Sequence, residues 1–283
     1  MLNFRLLADK LSPDQGFYGL QAQGVDGRLA PLPSVEAMAA QYLAALREVC
    51  PEGPYRLAGY SAGGVIAMEM ARQLQADGQR VDLLAMIDTL CPVAARQRLP
   101  WWRRLWLMRH WSLRFALGWP VRRLQGRGDN ARHAQALAAR ARGEALPPEL
   151  AEAVLFRNFI EVQARYQPPV WNGDLLLIKA RQAEVPYLAA GPCLGWERWV
   201  RGRIESRDVG GSHFSVMREP GLGELANALQ SALDKRDGVP YRPWPPRTAP
   251  RPLGNSAGEC SGATCAPASW AWWWQPSSWR WRR

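Results

Sequence analysis

Gly53-Pro54-Tyr55-Arg56-Leu57-Ala58-Gly59-Tyr60-Ser61-Ala62-Gly63-Gly64 is the stretch of this chain that decides the fold. Gly59-Tyr60-Ser61-Ala62-Gly63 fits G-x-S-x-G, a pattern that arises by chance in roughly one chain in ten of this length. Its surroundings make it informative. The apolar run Tyr55–Ala58 reads as a buried strand. From Ala62 the period turns helical, with Ile66, Met70 and Leu74 on one face before a stop at Gly78. Strand, sharp turn and helix are what a nucleophile elbow needs. The turn holds Ser61 in a strained conformation, and a Cβ two residues before or after it would crowd the backbone. Ser61 Oγ then projects at the carboxyl end of the sheet. The Ala62 N–H, at the helix N-terminus, points where an oxyanion would develop. Two rivals are a purely structural turn and a phosphate-binding loop. The latter lacks Gly-Lys-[Ser/Thr] and the G-x-G-x-x-G order.

A serine hydroxyl needs a base, and the chain has three histidines. His110 and His133 lie among arginines, apolar residues and alanine and read as surface or packing residues. His213, in Gly210-Gly211-Ser212-His213-Phe214-Ser215, follows the last strand-like run and precedes the final helix, which places it at the carboxyl edge of the sheet. The acid belongs on a strand end. Asp88 closes the run Val81–Ile87, and the order Ser61, Asp88, His213 is the one expected of such a fold. Glu184 is the reserve acid and Asp208 a weaker one.

Working outward, Phe17–Gln21, Val81–Ile87 and Asp174–Ile178 read as further buried strands. Ser34 caps a helix with Val35, Met38, Tyr42, Leu46 and Val49 on one face. Pro147–Tyr166 and Leu222–Leu233 are amphipathic helices. Alternating strands and helices predict an α/β protein with a mainly parallel central sheet covered on both faces. Residues 92–145 break the alternation, are rich in Arg and Trp, and read as a helical insertion over one end of the sheet.

Of the net charge of +11, residues 92–145 carry +10 and residues 237–283 carry +4, while residues 1–91 carry −3 and residues 146–236 none. That distribution argues against a uniformly basic nucleic-acid binder. Five widely spaced cysteines without a C-x-x-C form neither a disulfide framework nor a zinc site, which suits a reducing cytoplasm. Signal peptide and membrane span are both absent from the pattern. Residues 237–283 hold 7 of the 15 tryptophans amid dense Pro and Gly, with no period. They read as a disordered or non-native extension rather than a membrane-interface segment. The domain is expected to span residues 1–236.

Taken together, Tyr18-Gly19-Leu20-Gln21-Ala22-Gln23-Gly24-Val25-Asp26-Gly27, the Gly53–Gly64 stretch, Ala67-Met68-Glu69-Met70-Ala71, Ile87-Asp88-Thr89 and Gly211-Ser212-His213-Phe214 resemble the thioesterase domains of nonribosomal peptide synthetases and polyketide synthases, over about residues 3–234. The resemblance implies an α/β-hydrolase fold with Ser61 as nucleophile, Asp88 as acid, His213 as base and residues 92–145 as a lid over an acyl pocket. It implies no cofactor of the protein's own. The substrate would be an acyl or peptidyl thioester on the phosphopantetheine arm of a carrier domain, released by hydrolysis or cyclisation, with neither nucleic acid nor membrane as partner. The basic insertion would suit an acidic carrier domain, or is simply a solvated face in an Arg-rich chain. Such domains begin with an apolar strand and a Gly-rich loop, ahead of a helix like Phe4–Leu11, and the loop supplies a second oxyanion donor. This sequence starts inside that helix region, so a core strand and that donor are expected to be missing, with the strand's neighbours left with open edges. A stand-alone editing thioesterase, or an inactive remnant that binds a carrier domain, are the alternatives.

Overall fold

The computed structural model describes residues 2–13, 15–97, 100, 134–136, 138–139, 142, 146–236 and 269–272. The elements are α1 (Leu2–Ala8), β1 (Phe17–Leu20), α2 (Val35–Val49), β2 (Tyr55–Tyr60), α3 (Ala62–Ala76), β3 (Val81–Ile87), α4 (Pro92–Ala95), α5 (Pro148–Arg165), β4 (Leu175–Gln182), α6 (Val185–Ala189), β5 (Ile204–Ser212), α7 (Gly221–Asp234) and β6 (Ser269–Trp272). All strand pairs are parallel, in the order β1-β6-β2-β3-β4-β5.

Parallel strands joined through helices are covered on both faces, so their apolar runs are continuous and their side chains divide by alternation. In β3, Leu84 and Met86 pack with α2, α3 and α5, while Leu83, Ala85 and Ile87 pack with α1 and α7. In β4, Leu175 and Leu177 face the first group and Leu176 and Ile178 the second. This two-sided core fixes the register of the strands whose ends carry the site.

α2 begins as its sequence predicts. The Ser34 Oγ accepts from the Ala37 N–H at 3.1 Å, a cap worth about 1 kcal/mol. Val35, Met38, Tyr42 and Leu46 are buried, but Val49 is 40% exposed, and Cys50 is buried at the end of the helix instead. α3 lies between the sheet and the layer of α2 and α5, and is buried almost all round. Its one buried charge, Glu69, is 1% exposed. It accepts from Arg72 Nη2 (2.7 Å), Gln73 Nε2 (2.9 Å) and the Tyr166 hydroxyl (2.8 Å). A buried carboxylate needs such partners, because the desolvation of an unpaired one costs several kcal/mol.

Most of the expected insertion at 92–145 lies outside the described residues. Its described parts include α4 and helical residues at 134–136 and 138–139, with Ala136 and Ala139 packed in a small cluster with Leu146, Ala151 and Val154. Within the stretch 237–283, expected to be a disordered or non-native extension, Ser269–Trp272 forms β6. It pairs with β1 (Phe17↔Ser269 to Leu20↔Trp272) and with β2 (Arg56↔Ser269 to Gly59↔Trp272). The facing edges of β1 and β2 are therefore paired, not open as expected. The physical reason is the demand of strand-edge N–H and C=O groups for partners, met here by a Ser-Trp-Ala-Trp segment whose two tryptophans favour strands. The rest of 237–283 lies outside the described residues.

Among the described residues, no helix is long and apolar enough to cross a membrane.

Candidate active site

Ser61 links β2 to α3 with φ 54° and ψ −122°. Three non-glycine residues among those described have positive φ, and two of them are Ser61 and Asp88 (φ 46°). Such conformations cost roughly 1–3 kcal/mol each and persist only where the surroundings enforce them. Here the enforcement is visible. The Ser61 N–H donates to the Ile87 carbonyl at 2.9 Å, and the Gly64 N–H returns to the Ser61 carbonyl at 3.0 Å. A Cβ on Gly59 would lie 2.3 Å from the Gly63 carbonyl oxygen, and one on Gly64 would lie 2.1 Å from Thr89 Oγ1. The two glycines thus let β2, the turn and α3 approach more closely than side chains allow.

Asp88 follows β3 directly, and its carboxylate is held at both oxygens. Oδ1 accepts from the Ala180 N–H of β4 at 2.9 Å, and Oδ2 lies 2.7 Å from His213 Nδ1. The side chains of His213 and Asp88 are 16% and 4% exposed, so water competes little for this bond. His213 follows β5, and its Nε2 lies 3.0 Å from Ser61 Oγ. The structure therefore brings together Ser61, Asp88 and His213, from the ends of three strands. Ala62, the first residue of α3, is buried beside them. Its N–H belongs to the first turn, where helical donors have no partner within the helix. Of the reserve acids, Glu184 is the N-cap of α6, and Asp208 pairs with Lys179 at 3.2 Å. His110 and His133 lie outside the described residues.

Three contacts were not read from the sequence. Tyr60, the first variable position of G-x-S-x-G, stacks on the His213 ring (centroids 5.1 Å apart, 26° between planes), and its hydroxyl donates to the His213 carbonyl. Burial, and then the Asp88 charge, push its phenol well up against a smaller opposing effect of Arg218, so it stays a neutral donor. Thr89 Oγ1 lies 3.1 Å from the Ser61 carbonyl, while its own carbonyl accepts from the indole N–H of buried Trp196 at 2.8 Å. Tyr187, on α6, places its hydroxyl 3.0 Å from His213 Nδ1. A hydroxyl beside a ring nitrogen, with a shielded carboxylate behind it, can surrender its proton as it attacks an electrophilic carbonyl.

A family model described as thioesterase domain matches residues 2–110. Over that stretch the chain resembles the thioesterase-domain family. Malpibaldin synthetase of Mortierella alpina is 28% identical to this chain over 232 residues, 81% of this chain and 4% of that protein. The dimodular nonribosomal peptide synthase of Bacillus subtilis (strain 168) is 27% identical over 235 residues, 81% of this chain and 10% of that one. The chain thus spans a tenth or less of the length of these two synthetases. Among solved structures, the NocB thioesterase domain, in covalent complex with a fluorophosphonate nocardicin G analog, has a TM-score of 0.55 at 25% identity, covering 82% of this chain and 88% of that one. The RedJ thioesterase of Streptomyces coelicolor has a TM-score of 0.56 at 21% identity, covering 82% and 84%, a likeness that shows the fold alone. The fold of this chain is accordingly that of the α/β-hydrolases.

Proposed function

We propose that this thioesterase domain releases an acyl or peptidyl chain from the phosphopantetheine thioester of a carrier domain, through an acyl-enzyme on Ser61. The observation that carries the reading is the relay from Ser61 Oγ to His213 Nε2 at 3.0 Å and from His213 Nδ1 to Asp88 Oδ2 at 2.7 Å.

Ser61 Oγ attacks the thioester carbonyl while Nε2 of His213 takes its proton. Asp88 keeps the other ring proton on Nδ1 and offsets the charge of the imidazolium. The Ala62 N–H donates to the oxyanion, a contribution of the order of 10²–10³ in turnover. Collapse of the tetrahedral intermediate breaks the C–S bond, and the imidazolium returns its proton to the departing thiol. In the second half, water or a nucleophile of the acyl chain itself loses a proton to His213 and attacks the ester carbonyl, and the imidazolium returns that proton to Ser61 Oγ as the ester bond breaks. Water gives the acid and an internal nucleophile gives a ring. No cofactor of the protein's own enters these steps. The likeness to synthetases supports a carrier domain as partner.

Intact-mass analysis after treatment with a fluorophosphonate tests the reading. One adduct that maps to Ser61, and is absent in Ser61→Ala, is expected. A folded protein that takes no adduct would overturn the proposal and favour a non-catalytic role.

A further inference from the structure

His213 Nδ1 has two oxygen neighbours: Asp88 Oδ2 at 2.7 Å and the Tyr187 hydroxyl at 3.0 Å. In a neutral imidazole that nitrogen carries either a proton or a lone pair. If it carries the proton, it donates to the Asp88 carboxylate, and the bare Nε2 can accept from Ser61. If it is bare, two acceptors face each other at 2.7 Å, while the Tyr187 O–H becomes a well-placed donor. Nε2 then carries the ring proton and can take none from Ser61. A bond to a charged carboxylate is about twice as strong as a neutral one, so Asp88 decides between the two forms.

We propose that Tyr187 is a positioning residue that shares His213 Nδ1 with Asp88. While Asp88 is ionised, the Tyr187 oxygen accepts a share of the Nδ1–H. Once that charge is removed, the Tyr187 O–H takes over Nδ1 and holds the ring in the idle tautomer. The proposal rests on the reading of His213 as the base.

The surroundings suit this role. Burial, and then the charges of Asp88 and other neighbours, hold the Tyr187 phenol well above its ordinary value, so it keeps its proton. The Tyr187 ring is 5.4 Å from that of His213 and tilted by 46°, so the two rings are not stacked. Tyr60 instead stacks on the ring and bonds the His213 carbonyl. Tyr60 therefore fixes where the ring lies, and Tyr187 meets the atom that decides its tautomer.

The test compares Tyr187→Phe, Asp88→Ala and the double variant. Alanine is chosen because it brings no amide donor of its own. Two readings are taken: the rate of fluorophosphonate labelling at Ser61, and the 15N shifts of the His213 imidazole in the resting protein. Tyr187→Phe alone is expected to slow labelling by no more than about 3-fold and to keep the Nδ1–H form. Asp88→Ala should label far more slowly and show the Nε2–H form. The double variant should label about 3–10-fold faster than Asp88→Ala, with the shifts moved toward a mixture of tautomers. A double variant no faster than Asp88→Ala, with unchanged shifts, overturns the proposal. The shifts report on Tyr187 whether or not the protein turns over. Failure of the unaltered protein to label would instead count against the proposed function.

Discussion

Thr89 Oγ1 lies 3.1 Å from the carbonyl oxygen of Ser61, across the gap between the ends of β3 and β2. The same side chain fills the space that a Cβ on Gly64 would need, at 2.1 Å from Oγ1 and 2.8 Å from both carbons beyond the backbone. Gly64→Ala must therefore push α3 away from the turn that carries Asp88. Overpacking of this kind costs about 1–3 kcal/mol. A lower urea midpoint and slower labelling of Ser61 are expected together, and an unchanged labelling rate would show that the turn tolerates the shift.

Substitutions at the relay should separate chemistry from folding. Asp88→Asn keeps the shape but presents an amide to Nδ1, which selects the wrong tautomer and costs about 10⁴ in turnover. Ser61→Ala should remove most activity at little cost in stability, whereas His213→Ala should remove it and also lower stability, because the buried Asp88 carboxylate loses a partner. Thioester turnover with a soluble acyl-thioester, beside a thermal scan, reads both effects. Full activity in Asp88→Asn would shift the role of acid to Glu184.

Glu69 makes a different prediction. Its Oε2 accepts from the Tyr166 hydroxyl at 2.8 Å. Tyr166→Phe removes one donor from a buried carboxylate that Arg72 and Gln73 still hold. Hydrogen bonds to charged groups contribute about 1.5–3 kcal/mol, so unfolding free energy should fall by that amount while turnover per folded molecule stays constant. A neutral effect on stability would mean that water replaces the phenol.

At Ser34 the effect should be smaller and purely structural. Ser34→Ala leaves the Ala37 N–H without its cap and should lower stability by about 1 kcal/mol, with labelling of Ser61 unchanged.

A chain ended after Arg236 lacks β6. Because β6 is bonded to both β1 and β2, the shortened protein should lose amide protection in Phe17–Leu20 and on the matching edge of β2, while β3 to β5 remain protected. Identical exchange in the two proteins would show that β6 adds no stability to the sheet.

What the sequence revealed follows from how strongly each residue is constrained. The β2–Ser61–α3 unit was legible because glycine is the residue that fits Gly59 and Gly64, and because both flanking elements are buried runs. Asp88 could be found as the polar residue that ends an apolar strand, and His213 because the chain has few histidines to choose from. β5 was not legible: it lies at the sheet edge, and in Ile204–Ser212 the buried residues are Val209 and Gly210, so no apolar run announces it. Tyr187 sits in a five-residue helix whose sequence carries no period, and its value lies wholly in a tertiary contact. β6 is four residues long, too short for alternation to stand out from its surroundings.

That edge position of β5 has a consequence for how the protein fails. His213 hangs from a strand bonded on one side to β4, 152 residues along the chain from Ser61. Segments at a sheet margin open with less free energy than the centre. The base can therefore detach while the core stays intact, so under mild denaturant inactivation should run ahead of unfolding, and the dead protein would still look folded to circular dichroism.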